Sequence, residues 1–170
     1  LMAIIKADAY GHGAIEVAHT IDELADAYGV AILEEGVELR KAGITKPMLI
    51  LGYTARPQYS AMIDYEIDTA VFTLEMAEEL SEIAVKKEKT AGIHLKLDTG
   101  MNRIGFALND KSFDDIMKIA SLPGIQVHGC FSHFARMDEA DKTKAMRQFQ
   151  RFCAFTKKIE KAGVTLPIKH

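Results

Sequence analysis

The chain is predicted to be an α/β protein, a (β/α)8 TIM-type barrel present here as an incomplete segment with about seven strands. Three observations predict this. Short apolar runs rich in β-branched residues alternate strictly with longer segments of helical period, as parallel strands joined by crossover helices require. The runs fit strands buried on both faces. The first of them lacks a dinucleotide fingerprint, because Gly11-His12-Gly13-Ala14-Ile15-Glu16 fails at the third glycine. Seven strands is high for an open sheet and one short of a closed barrel.

The elements follow in order. Residues 2–5 form the first strand, and a helix is expected over 12–28, where Ile15, Ala18, Ile21, Leu24 and Ala25 recur three and four apart. Strands at 29–33, 47–51, 69–72, 93–97, 125–131 and 164–168 alternate with helices at 34–42, 57–65, 74–87, 112–120 and 142–162. Gly29, Gly43 and Gly163 stand where a helix end calls for a left-handed residue. Thr73, with Met76 three residues on, opens a helix whose early Glu75, Glu78 and Glu79 complement its dipole.

Composition narrows the function. The length suits one domain, residues 1–170, and 48% apolar residues suffice for a sizeable core. Charge nearly cancels, with 21 basic against 24 acidic residues, so no basic patch suggests nucleic acid. No apolar stretch approaches the ~18 residues of a membrane span. Cys130 and Cys153 make no disulfide framework, and a reducing cytoplasm is the default. Apolar runs lie hard against both ends, and the expectation is a segment cut from a longer chain.

In a barrel, function collects where the strands end. There the sequence places Lys6, the stretch Asp98 to Gly105 with Arg103 inside it, His133 and His170. Lys6 is either a strand-end lysine snorkelling to water or a desolvated amine able to form a Schiff base. His133 is either a satisfied core histidine or a flat ring packed on a flat cofactor. Arg103 is either solvated or a fixed donor to an oxyanion. Lys96 and Asp98, two apart, share a strand face, so an ion pair between them is the plain expectation. The alternative is a change of charge on Lys96, which would relieve its repulsion from Arg103. Histidine and cysteine spacings match no metal motif, and no metal is expected. Cys153, beside Phe149 and Phe152, reads as a small core hydrophobe.

The run from Ile5 to Gly13, Ile-Lys-Ala-Asp-Ala-Tyr-Gly-His-Gly, resembles the pyridoxal-phosphate attachment signature of alanine racemases. The run His94 to Gly105 resembles that family's second hallmark, with Ser132-His133-Phe134-Ala135 at the usual distance after it. The likeness spans essentially the whole chain. It implies an N-terminal barrel binding pyridoxal 5′-phosphate, a C-terminal β domain and a head-to-tail homodimer. The implied reaction interconverts L- and D-alanine, supplying D-alanine as a peptidoglycan precursor.

By the same resemblance Lys6 holds the cofactor as an aldimine and serves as one base. Tyr10 reaches the phosphate, Arg103 donates to the phenolic oxygen, and His133 lies against the ring. Ile4 and Leu51 wall the pocket, and Lys96 matches a lysine carbamylated in some members. The first helix, the eighth strand, the second base and the β domain are expected outside this segment, which alone should be inactive. A serine racemase domain of the same family and a non-catalytic pyridoxal-phosphate-binding barrel are the alternatives. A small α/β binding domain without chemistry is the rival from another class.

Overall fold

A computed structural model describes residues 1–170. The chain runs β1 (Met2–Ile4), α1 (Lys6–Gly11), α2 (Ala14–Ile21), β2 (Ala27–Val30), α3 (Leu33–Lys41) and β3 (Met48–Ile50). A short 3₁₀ turn (Arg56–Gln58) leads into α4 (Tyr59–Asp64), β4 (Asp68–Val71), α5 (Leu74–Lys86) and β5 (Ala91–Asp98). Then come β6 (Phe106–Ala107), α6 (Asp110–Ala120), β7 (Ile125–Phe131), α7 (Thr143–Lys161) and β8 (Ile168–Lys169). Seven strands lie in the order β1-β2-β3-β4-β5-β7-β8, every neighbouring pair parallel, with β6 added beside the end of β5. This is the barrel segment the alternation predicts.

Strand parity sorts side chains into two layers. Tyr28, Val30, Met48, Ile50, Val71, Ile93, Leu95, Leu97 and Cys130 join the helices in the large core. Leu49, Ala70 and Phe131, with Met2 and Leu51 against them, form a small inner cluster on the opposite face. The same parity sends His94, Lys96 and Asp98 of β5 inward, so polar groups share the barrel interior with this apolar cluster, where an ordinary barrel is filled with aliphatic layers.

At the amino-terminal ends of the strands, Asp68 Oδ2 lies 2.7 Å from His128 Nδ1 and 3.5 Å from His94 Nε2. Burial pushes the Asp68 carboxyl up, but its bonds to the two histidines prevail and hold it below the usual carboxylate range. The same contact raises His128. Gly92 makes the arrangement possible, since a Cβ there would sit 2.1 Å from Asp68 Oδ1.

Several expectations shift. The helix foreseen to residue 28 stops at Ile21, and β2 begins at Ala27. Tyr28 points out of the strand at α2, its hydroxyl 2.9 Å from both Ala18 O and Asp22 Oδ1, two acceptors that share its one proton. Gly29 is therefore a strand residue rather than a helix terminator, whereas Gly43 (φ +92°) and Gly163 (φ +99°) terminate as predicted. The last strand is confined to Ile168–Lys169: the Val164 N–H still closes on Ile159 O, and Pro167 has no N–H for a ladder. Thr73 Oγ1 accepts the Met76 N–H at 3.2 Å and caps α5 as foreseen. Cys153 is exposed on α7, not in the core, while Cys130 is buried and its thiol is pushed up to about 12 by burial. No helix is long and apolar enough to cross a membrane.

Candidate active site at the carboxyl ends of the strands

After β1 come buried Ile5 and half-buried Lys6, the first residue of α1, and the chain then does something costly. Ala7, Asp8, Ala9 and Tyr10 take φ of 52°, 53°, 51° and 57° with ψ between 34° and 50°, a full turn of left-handed helix without a glycine. At about 1–2 kcal/mol per residue, four such residues cost roughly 4–8 kcal/mol locally. Strain of this kind persists only where its surroundings over-determine it, and it gathers at active sites. Here the surroundings are explicit. Ala9 N–H donates to Ile5 O at 3.0 Å, Gly13 N–H to Asp8 O at 3.0 Å, and Ala7 N–H to Glu35 Oε1 at 2.8 Å. Asp8 Oδ1 accepts the Ala14 N–H at 2.7 Å at the start of α2. Gly11 and Gly13, at φ +86° and +87°, turn the chain back. Tyr10 lies on this turn with its ring exposed.

Beside Lys6, Ile4 and Leu51 meet over a strand position that has no side chain. A Cβ on Gly29 would lie 2.6 Å from Ile4 Cδ1 and 3.2 Å from Leu51 Cδ1. The two predicted wall residues are thus neighbours at the mouth, and Ile4 is 38% exposed there.

β5 delivers Lys96, which is 3% exposed. Its Nζ donates to Leu97 O at 3.1 Å and lies 5.4 Å from the Phe131 ring centre. The expected ion pair with Asp98 is not formed. Asp98 Oδ1 instead accepts the N–H groups of Gly100, Met101 and Asn102 at 2.9, 3.0 and 3.1 Å, three converging backbone donors that outbid one buried ammonium. Burial lowers the Lys96 pKa; the Asp98 charge opposes this and the Arg103 charge reinforces it.

Arg103 rides the loop that Asp98 organises. The loop closes at Gly105 (φ +135°), packed against the main chain of Leu97 and Asp98, and its far end pairs with β5 as Leu97↔Phe106. Lys6, Lys96 and Arg103 take no part in any ion pair of the chain.

From the end of β7, Ser132 Oγ donates to Leu97 O at 2.9 Å and lies 2.7 Å from Thr99 Oγ1. Gln148 of α7 locks the two loops together. Its Nε2 donates to Thr99 Oγ1 and His133 O, both at 3.0 Å, and its Oε1 accepts the Ala135 N–H at 3.0 Å. The His133 pKa is lowered by burial first and then by Arg103, Lys96 and Lys6, which sets all four groups in one electrostatic neighbourhood. His170 stacks on Phe131 with centres 4.9 Å apart and planes 3° apart.

The structure therefore brings Lys6, Lys96, Arg103 and His133 to one rim, with Ile4 and Leu51 adjacent across Gly29 beside them. Sequence reasoning missed Gln148 and Glu35. A faint signal exists for Glu35, the third residue of α3. The N-cap Ile32 has no acceptor side chain, so a capping-box carboxylate stands there without its usual serine or threonine.

A curled, all-parallel sheet alternating with helices, with cations lacking carboxylate partners at the carboxyl ends of its strands, is a (β/α)8-type barrel segment. The chain belongs to the alanine racemase family: the model of the alanine racemase N-terminal domain matches residues 1–170. An alanine racemase of Clostridium perfringens is 46% identical over 171 residues, covering 100% of this chain and 44% of that protein. One from Methanococcus maripaludis is 42% identical, again over 100% of this chain and 46% of the relative. A Clostridium difficile alanine racemase in complex with cycloserine superposes with a TM-score of 0.98 at 42% identity, over 99% of this chain and 47% of that one. The Bacillus anthracis alanine racemase with bound L-Ala-P gives 0.92 at 29% identity, over 99% of this chain and 44% of that one. The chain thus spans under half the length of the relatives it matches.

Proposed function

We propose that the protein carrying this chain is an alanine racemase that interconverts L- and D-alanine with pyridoxal 5′-phosphate anchored on Lys6. The observation that carries the proposal is the left-handed turn that presents Lys6 among unpaired cations. The residues fit the group. Lys6, Lys96 and Arg103 lack carboxylate partners, which suits a planar ligand bearing a phosphate and a phenolate, and Ile4 and Leu51 offer it an apolar flank. When bound, the cofactor acts as an electron sink that acidifies the substrate Cα–H.

The remaining work belongs to the side chains. Lys6 Nζ supplies the amine that holds the cofactor and moves the Cα proton on one face. Tyr10 would serve the cofactor's phosphate, Arg103 its phenolic oxygen and His133 its ring. Asp98, by gathering three amides, fixes the loop from which Arg103 reaches. The second proton-transfer group, the remaining barrel elements and the C-terminal β domain are assigned to the rest of the protein. So is the homodimer contact, and a reducing cytoplasm is the proposed setting. The test is racemisation of L-alanine with added cofactor. The whole protein is expected to turn over, and the 170-residue piece alone to show little or no activity. Near-equal rates from the piece would refute the assignment of the second base.

Lys96 is proposed to carry a carbamate. Burial favours the neutral form of the Lys96 amine over its ammonium. The neutral amine combines with carbon dioxide by forming an N–C bond and releasing one proton. The resulting anion would give Arg103 the partner it lacks. Native intact mass in bicarbonate is expected to show one added carbon dioxide, absent in Lys96→Arg. An unaltered mass overturns the assignment.

A further inference from the structure

Glu35 makes no hydrogen bond or ion pair with the side chains of Lys6, Tyr10, Arg103 or His133, yet it holds the backbone that carries Lys6. Its Oε1 accepts the Ala7 N–H at 2.8 Å and its Oε2 the Ala31 N–H at 2.6 Å. Ala7 follows Lys6 directly and is the first residue of the left-handed turn, at φ 52° and ψ 50°. Ala31 follows β2, the parallel neighbour of β1. One carboxylate therefore ties together the ends of two adjacent strands at the point where Lys6 leaves the sheet. Its place in the first turn of α3 favours a negative charge, and the cap residue Ile32 makes no demand on it.

The intrinsic preference of the turn points the other way. Ala-Asp-Ala-Tyr is an unremarkable right-handed helical sequence, with two alanines at the top of the propensity scale. A right-handed turn there would aim the chain after Lys6 elsewhere. Something tertiary must select the left-handed form, and the Ala7 amide, the earliest donor in the turn, is satisfied by Glu35 alone among side chains. We infer that Glu35 is a positioning residue for Lys6: by accepting the Ala7 and Ala31 amides it selects the left-handed turn and so the direction in which Lys6 enters the mouth. The consequence for Lys6 rests on the proposal that Lys6 anchors pyridoxal phosphate.

Glu35→Gln keeps the volume and one acceptor oxygen, and Glu35→Ala removes both. In Glu35→Gln the Ala7 amide is expected to exchange with solvent roughly tenfold faster, the equivalent of one lost charge-assisted bond. Borohydride-fixed pyridoxal phosphate on the Lys6 peptide, measured at limiting cofactor, is expected to fall several-fold. Adding Ala7→Gly should restore labelling, because glycine enters the left-handed region without a Cβ penalty. A general stabilising role would not be rescued this way, since glycine also loosens the unfolded chain. Equal Ala7 exchange and equal Lys6 labelling in Glu35→Gln and the unsubstituted protein overturn the inference, as does failure of the rescue. If Lys6 is unlabelled even in the unsubstituted protein, the anchor proposal falls instead, and Ala7 exchange still decides the role of Glu35.

Discussion

Lys6→Ala is expected to give a colourless protein that retains no pyridoxal phosphate after borohydride, with racemisation reduced by at least about 10²–10⁴-fold, the worth of a positioned base. Losing the covalent hold on the cofactor adds to that. The fold should survive. Lys6 is only half-buried and its side chain makes no hydrogen bond; the bonds that hold the turn involve main-chain groups, among them those of Ile5, Ala7, Asp8 and Ala9, which the substitution leaves in place. Lys6→Arg separates charge from chemistry. A guanidinium keeps the cation but neither deprotonates nor condenses with a carbonyl, so it should be as colourless as the alanine variant. A yellow band that persists in Lys6→Ala and is still bleached by borohydride would place the anchor elsewhere, with Lys96 the next amine at the rim.

The sequence reveals where Lys6 stands but not how it is presented. Alternation of apolar runs with helical stretches locates the strands because both signals are local, and strand parity then places Lys96 and Asp98 on one face. It cannot reveal the left-handed turn. Nothing in Ala7 to Tyr10 favours that hand, and its causes are distant: Glu35 lies 28 residues away in sequence from Ala7. The Lys96–Asp98 pairing fails for a related reason. Spacing gives the shared face, but the competition for Asp98 comes from amides that converge only once Gly100 takes φ +141° and Asn102 φ +58°. Cys153 shows the limit of helical periodicity: Phe149 is itself exposed, so an aromatic neighbourhood on α7 does not mark the core. Gln148 reads as an ordinary polar helix residue until the loops it joins are seen together.

Gly105→Ala is expected to damage the site more than any other single added methyl at the rim. Gly105 sits at φ +135°, where a side chain is strained whatever the space, at about 1–3 kcal/mol. Space is also lacking. The new Cβ would lie 2.7 Å from Asp98 N and 2.9 Å from Leu97 C, main-chain atoms of a central strand that no rotamer change can move aside. The loop must lift, and with it the Phe106–Ala107 pairing to β5 and the seat of Arg103 two residues earlier. A displacement near 1 Å at a positioned group costs about 10²-fold in rate. Gly43→Ala supplies the comparison. It shares a positive φ, +92°, but its Cβ would meet nothing within 4 Å, so it bears the conformational strain without the clash. Thermal midpoints of the two variants should both fall, and only Gly105→Ala should lose racemisation well beyond its loss of stability. If the two variants race at equal rates, Arg103 does not depend on the closure of its loop. Its role as the holder of the phenolic oxygen then loses its structural basis.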